Sequence, residues 1–222
     1  MFFNVFISLP VREAGRYCAA MPDIIYILTN PSIPALIKIG KTTNLVERIN
    51  SLSRHSGVPV PFECYFACEV EDGAVVEKRL HFGFGDHRLN PKREFFSINP
   101  ERVKMILEGW SLRDVTPTED IVEDAEDVET LHKVRSRRPH FRFSMVELAP
   151  GKELHFIKDE TITCQVAGDR EVEFQGEVTS LNQVTLGILR DRYGSRWESV
   201  RGPDFWLYDD ETLTERRIRM ED

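Results

Sequence analysis

"IKIGKTTNLVERI", residues 37–49, joins an apolar strand to a helix through one glycine and a threonine pair. Leu36 to Ile39 reads as a buried strand. Asn44 can cap the helix that follows, with Glu47 three residues later as its box partner, and Leu45, Ile49 and Leu52 recur at helical spacing. A join of this kind sets the side chains of a strand end and of a helix start beside one another, as many active sites do, and here the polar helix face carries Arg48. Upstream, Ile24 to Leu28 reads as a strand and "NPSIP" as a turn, so the two strands are close enough to pair as a hairpin. Downstream, Gly57 and two prolines stop the helix and "FECYFACEV" forms a third strand. Asp72 and Gly73 then open a second helix with Ala74, Leu80 and Phe84 inward, "REFFSI" returns as a short strand, and Asn99 and Pro100 start a third helix. This order predicts the α+β class: a small mixed sheet with flanking helices.

The chain has 222 residues, enough for one large domain or two small ones. No apolar run approaches the roughly 18 residues needed to span a bilayer, so no membrane segment is expected. The opening "MFFNVFISLP" lacks a basic flank and is followed by Arg12, Glu13 and Arg16, which makes it a poor signal peptide; residues 1–22 read as an extension ahead of a start at Met21. Cys18, Cys64, Cys68 and Cys164 are scattered and form no zinc-knuckle spacing, which points to reduced thiols and a cytoplasmic protein.

Net charge is −8, and the eight acidic residues from Asp114 to Leu131, with no basic ones among them, equal the whole imbalance. From Lys38 to Lys104, eleven Lys and Arg face nine Asp and Glu, so the charge balance does not exclude a phosphate-binding face there. The acidic run, "DVTPTEDIVEDAEDVETL", also divides the chain into residues 23–113, a charged linker at 114–140, and residues 141–222. The "KVRSRRPHFRF" that follows it reads either as a basic arm for a phosphate backbone, covered by the acidic run, or as a solubilising tether. In the last unit "ELHFIKD", "TITCQVAG" and "EVEFQGEV" read as a strand meander. "TSLNQVTLGILRDRYG" reads as one capped helix closed by Gly194, and "RWESVRGPDFWLYDDETL" as a tryptophan-rich hairpin.

Polar residues of the first unit fall into a pattern. Arg48 and His55 lie two helical turns apart, Glu77 and His81 one turn apart, Tyr26 and Lys38 sit on the first two strands, and Glu94 opens the last strand. Phosphodiester cleavage needs a carboxylate for a divalent cation, cations against phosphoryl charge, and a proton acceptor. Singly the same residues have bland readings: Tyr26 a half-buried strand tyrosine, Arg48 a surface arginine, Glu77 part of a solvated face with Lys78 and Arg79, Glu94 a partner of Lys92 or Arg93. A transition-metal site from Glu77, His81 and His87 is a further alternative.

The ordered elements resemble the GIY-YIG nuclease superfamily, in the phage and bacterial branch with lysine in place of the second tyrosine. "IIY" (Ile24 to Tyr26) stands for the first motif, "KIG" (Lys38 to Gly40) for the second, and Gly40, Thr42, Leu45 and Arg48 follow the family spacing. "VVEKRLH" supplies the helical glutamate as Glu77, and "NPKREFF" the closing signature with Glu94. The resemblance covers residues 23–107. It implies a DNA endonuclease, with RNA as another candidate substrate, using Mg²⁺ or Mn²⁺ held by Glu77. Tyr26 would orient or deprotonate the attacking water, Arg48 would stabilise the phosphate, and His55 would be an auxiliary contact. Lys38 and Glu94 complete the expected catalytic set, and Gly40, Lys41, Thr42, His81 and Arg88 are the expected substrate contacts. Lys38 in place of a catalytic tyrosine serves either as a phosphate-binding charge or in deprotonating water. The rival is a non-catalytic DNA-binding or regulatory protein on the same fold. The last unit, with its "TSL" helix, its "W…W" hairpin and its closing "TL", resembles RAMA-type accessory domains of restriction and modification enzymes. That resemblance implies DNA binding or modification sensing. Trp197 and Trp206 with Arg190, Arg192, Arg196 and Arg201 read either as a base-stacking and phosphate surface or, for the two tryptophans, as packing of a small core. Nothing in the sequence fixes an oligomeric state.

Overall fold

A computed structural model describes residues 22–55, 57–137, 140–195, 197 and 200–221. The expected N-terminal extension therefore lies outside the described residues, apart from Pro22. The first sheet contains β1 (Asp23–Thr29), β2 (Ile37–Thr42), β3 (Glu63–Val70), β4 (Phe95–Phe96) and β5 (Arg113–Asp114), in the order β4-β2-β1-β3-β5. With α1 (Leu45–His55), α2 (Gly73–Gly83) and α3 (Pro100–Glu108) it makes an α+β unit, as the sequence indicates. Every pairing in it is antiparallel, which corrects the expectation of a mixed sheet. The physical reason is placement: β2 and β3, joined through α1, run parallel to each other but lie on opposite sides of β1, so the parallel strands are never neighbours.

Strand alternation sends β1 residues to two cores. Tyr26 and Leu28 meet Leu45 and Ile49 of α1, while Ile25 and Ile27 meet Val76 and Leu80 of α2 and Val103 and Leu107 of α3. Helix starts follow local chemistry. Asp72 accepts from Val75 N at 3.0 Å and Asn99 from Glu101 N at 2.8 Å. At α1 the expected box is split: Asn44 Oδ1 accepts from Glu47 N, Glu47 takes the Asn44 side-chain amide, and Thr42 Oγ1 accepts the Asn44 backbone N–H. Ala74, expected inward, is exposed; Gly73 and Val76 occupy the buried face instead.

The acidic segment folds onto the first sheet. β5 pairs with β3, Val115 and Ile121 pack over the α1-side core, and α4 (Ala125–Arg137) buries Leu131. Arg54 pairs with Glu123 at 2.8 Å, and Arg135 bridges Asp120 and Glu63. Part of the acidic charge is thus neutralised within the chain. The basic run after it lies partly outside the described residues.

The second sheet has six antiparallel strands in the order β11-β10-β6-β7-β8-β9: β6 (Glu153–Phe156), β7 (Asp159–Val166), β8 (Glu171–Phe174), β9 (Glu177–Ser180), β10 (Trp206–Tyr208) and β11 (Glu211–Thr212). "ELHFIKD" and "EVEFQGEV" each differ from the expected single strand. A turn falls at Ile157–Lys158, and Gln175 and Gly176, both at positive φ (54° and 84°), make the tight turn between β8 and β9. Helix α5 (Leu181–Tyr193) carries the Ser180/Gln183 capping box and ends on Gly194 at φ 62°. A second helix, α6 (Leu213–Glu221), was not expected; its T-x-x-E signature, Thr212 to Glu215, is a reciprocal cap that reads in sequence as the close of a hairpin.

The two sheets meet at the start of α3. Asn99 donates its amide to Asp204 O at 2.9 Å and to Thr212 Oγ1 at 3.2 Å, and Arg102 donates to Asp210 O at 2.8 Å. The β1–β3 ladder skips Tyr65, a bulge that places this tyrosine on the α3 side with Phe66. There its hydroxyl donates to the buried Glu101 at 2.6 Å, and Lys158 from the β6–β7 turn meets the other Glu101 oxygen at 2.8 Å as an ion pair rather than an aligned hydrogen bond. Burial pushes Cys64 and Cys164 up to about 12 and Cys68 up to about 11, so these thiols are neutral packing groups.

Candidate active site

The site is built on the β1–β2 hairpin. Tyr26 lies opposite Gly40 and Leu28 opposite Lys38, and residues opposite one another share a face. A Cβ at Gly40 would stand 2.5 Å from Tyr26 Oη and 2.8 Å from Cζ, so only glycine lets the phenol lie across β2. Buried Leu45 and Ile49 fix the rotation of α1, and Arg48 between them donates its Nε–H to Tyr26 Oη at 3.1 Å. Tyr26 is wholly buried. Burial raises its pKa, the Arg48 bond offsets part of this, and Glu94 and Glu77 add to the rise, so the hydroxyl stays protonated at neutral pH. The same hydrogen bond is the largest reason that the Arg48 pKa is raised, with Glu94 and Glu77 contributing through space.

Lys38 meets Glu94 at 2.6 Å, and its Nζ lies 5.3 Å from the Phe95 ring centroid. Two-residue β4 pairs with Ile37 and Lys38 of β2 and bridges Arg88 through Phe96 on its other side, and the Glu94 carbonyl just before it accepts from Ile39 N at 3.3 Å. The partner of Glu94 is therefore a residue 56 positions away and not its neighbours Lys92 or Arg93. Burial pushes the Glu94 carboxyl up, but the Lys38 bond and the charges of Lys38, His81 and Arg48 outweigh it, leaving the pKa lowered. Beyond Ile39, no described strand covers the outer edge of β2 at Gly40, Lys41 and Thr42.

Helix α2 reaches the same edge from the other face of the sheet. His81 Nε2 lies 3.1 Å from Ile39 O, with its ring 5.2 Å from Phe96. Glu77, one turn earlier, is half-buried and has no hydrogen bond or ion pair among the described residues, yet its charge is felt at both Tyr26 and Arg48. No group of three His, Cys, Asp or Glu able to hold a metal forms among the described residues. The alternative transition-metal site from Glu77, His81 and His87 is thereby corrected: His81 is turned to a backbone carbonyl, and the His87 ring lies beside Phe84. A lone solvent-reaching carboxylate without a cationic partner does fit Mg²⁺, which keeps most of its waters and takes one or two carboxylates plus substrate oxygens.

Residues 23–111 match the model of the T5orf172 domain. That domain is associated with phage and bacterial nuclease-like proteins, which relates the hairpin site to nucleic-acid chemistry. No curated protein and no solved structure matches the chain. Among the described residues no helix is long and apolar enough to cross a membrane.

The T5orf172 stretch thus brings Tyr26, Arg48, Lys38, Glu94, Glu77 and His81 to one edge of its sheet. Lys41 is exposed on that edge, and Thr42 uses its hydroxyl to hold the turn into α1. Arg88 donates to Arg93 O at 2.6 Å and lies 5.5 Å from the Phe96 ring centroid, which makes it a brace of the loop that carries Glu94. His55 ends α1, and its side chain lies outside the described residues. Outside the T5orf172 stretch, the structure selects the core-packing reading for one of the two tryptophans. Trp206 is fully buried and donates Nε1–H to Thr185 Oγ1 at 2.8 Å, so it is a core residue. Trp197 packs edge-on to Tyr65, where the two units meet. Arg190 bonds Trp197 O, Arg192 pairs with Asp159 and Arg201 with Asp204, while Arg196 lies outside the described residues. The sequence missed the Lys38–Glu94 pair; a contact spanning 56 positions leaves no local signal.

Proposed function

We propose that the protein is a metal-dependent DNA endonuclease of the GIY-YIG type, hydrolysing phosphodiester bonds in a setting such as phage defence, restriction or repair. The observation that carries this reading is the convergence of Glu77, unpartnered among the described residues, with the Arg48–Tyr26 pair at an open strand edge. Arg48 is held by Tyr26 with its remaining guanidinium N–H groups available to a phosphate oxygen. Because Tyr26 keeps its proton, its role is to fix Arg48 and to orient water, not to act as a base from the phenolate form. Glu77 is the residue that would hold Mg²⁺ or Mn²⁺, and the cation would supply charge neutralisation at the phosphoryl oxygens and acidify water. Glu94 and Lys38 form a closed pair that shapes the wall beside Gly40. The second unit would deliver the nuclease to its target, in keeping with its resemblance to RAMA-type modules.

A second reading has one specific observation in its favour. Lys38 is 7 % exposed and its ammonium is engaged by Glu94, so the position that holds a tyrosine elsewhere in the family offers no free group to substrate. That favours a DNA-binding or regulatory protein with impaired turnover. Single- and double-stranded DNA and RNA incubated with purified protein and Mg²⁺ or Mn²⁺, beside EDTA and Glu77→Ala controls, separate the two. Cutting that requires both metal and Glu77 supports the nuclease. Binding of the nucleic acids with no cutting under any metal refutes it.

A further inference from the structure

We propose that the outer face of α2, around Phe82, stacks an unpaired nucleobase of a nucleic-acid strand whose neighbouring phosphates lie on Lys78 and Arg79. This rests on the reading that the site acts on nucleic acid, and it adds the place where the strand is held. Phe82 is 89 % exposed, the highest value among the exposed large hydrophobic residues described. With Gly73, Val76 and Leu80 turned to the core, Val75, Lys78, Arg79 and Phe82 follow the i, i+3, i+4, i+7 spacing and form one stripe on the opposite side of the helix. The four side chains form an open, solvent-facing patch with the Phe82 ring at its C-terminal end.

Three features of the stripe select its occupant. Neither Lys78 nor Arg79 has an acidic partner among the described residues, so two positive charges flank the ring uncompensated. The Arg79 guanidinium lies 6.0 Å from the Trp110 ring centroid, which holds it at the edge of the stripe. At about 100° per residue, Lys78 falls between Phe82 and the flank that carries Glu77 and His81, so a strand crossing from the ring to the site passes the lysine. A ring on a convex helix surface can reach the face of a base only when that base is out of its stack, and stacking on an aromatic ring is indifferent to base identity. A paired duplex would offer it phosphates alone.

The test is fluorescence anisotropy in EDTA with the full chain carrying Glu77→Gln, so that cleavage cannot intervene. The labelled probes are a single strand, a fully paired duplex and a duplex with one unpaired base. Phe82→Ala is expected to weaken the single strand and the unpaired-base duplex by about 5- to 100-fold, to leave the paired duplex unchanged, and to be rescued by Phe82→Tyr. Lys78→Ala is expected to weaken all three alike and to lower the slope of log affinity against log salt by about 1. Equal effects of Phe82→Ala on all three probes, or none on any, would overturn the proposal. So would a Phe82-dependent change of mass in sedimentation without nucleic acid, which would assign the face to self-association. Phe82-dependent binding in a protein that never cuts with metal would leave this inference standing and remove the nuclease reading; metal-dependent cutting with Phe82-indifferent binding would do the reverse.

Discussion

Replacing Lys158 by methionine tests whether the two sheets are joined as one cooperative body. Lys158 is 8 % exposed in its side chain, 2.8 Å from Glu101 and 3.6 Å from Glu108, and Glu101 itself is 0 % exposed. Methionine keeps the length and apolar stem and removes only the charge, leaving Glu101 with the Tyr65 hydroxyl and with Lys104 at 3.9 Å. Breaking a buried pair by deleting one partner costs about 3–5 kcal/mol. The two remaining groups soften this, so we expect about 2–4 kcal/mol, a large part of a total stability of about 5–15 kcal/mol. The assay is urea unfolding followed by tryptophan fluorescence. The double variant Glu101→Gln with Lys158→Met should recover most of the loss, because the cost lies in the orphaned charge and not in a missing attraction. A pH series adds a second check. Burial lowers the Lys158 pKa but the Glu101 and Glu108 carboxylates outweigh it, so the folded value is raised. A raised lysine contributes stability that is complete below its unfolded value of about 10.4 and is lost as pH climbs through the folded one. Tyr65, raised first by burial and then by Glu101, loses stability on the same alkaline side, and Lys158→Met should remove only the lysine part of that slope. A Lys158→Met midpoint within about 0.5 kcal/mol of wild type would refute the reasoning, since surface changes lie in that range.

Other outcomes follow from the site. If the proposed nuclease reading holds, Mg²⁺ raises the melting temperature and Glu77→Gln should abolish both that rise and metal-dependent cutting, while changing apo stability by less than about 0.5 kcal/mol, because the carboxylate has no partner to lose among the described residues; calorimetry with and without metal and a cleavage assay read these. Gly40→Ala puts a methyl into the space of the Tyr26 hydroxyl and should cost about 1–3 kcal/mol together with the Arg48 contact, measured by thermal melts and by cleavage. Glu94 has a lowered pKa, so its pairing with Lys38 stabilises the fold above the ordinary glutamate value and is lost as pH falls through the lower folded value. Lys38→Met should flatten stability against pH in that acid window, as followed by acid titration of the near-ultraviolet dichroism.

Periodicity and caps determined the N-terminal unit from sequence alone. The strand and helix order of residues 23–108 is local information, written in alternation, in Asp72 and in the Asn99–Pro100 start, and the structure has the same order. The resemblance proposes one site for Tyr26, Arg48 and Glu77, and those same elements set their spacing along the chain. What only the tertiary structure decided involves partners distant along the chain. Lys38 turns to Glu94 and not to solvent, Trp206 faces a core hydroxyl, Glu101 is clamped by a lysine from the other sheet, and Phe82 is left uncovered. The tight turns at Ile157–Lys158 and Gln175–Gly176 and the second C-terminal helix were missed for a related reason: runs of alternating residues look the same whether they continue or fold back, and pairing with a distant strand chooses between them. A side chain's period along the chain fixes which face it takes. Which group waits on that face depends on how the elements pack, and packing is set by the summed burial of residues that no local window contains.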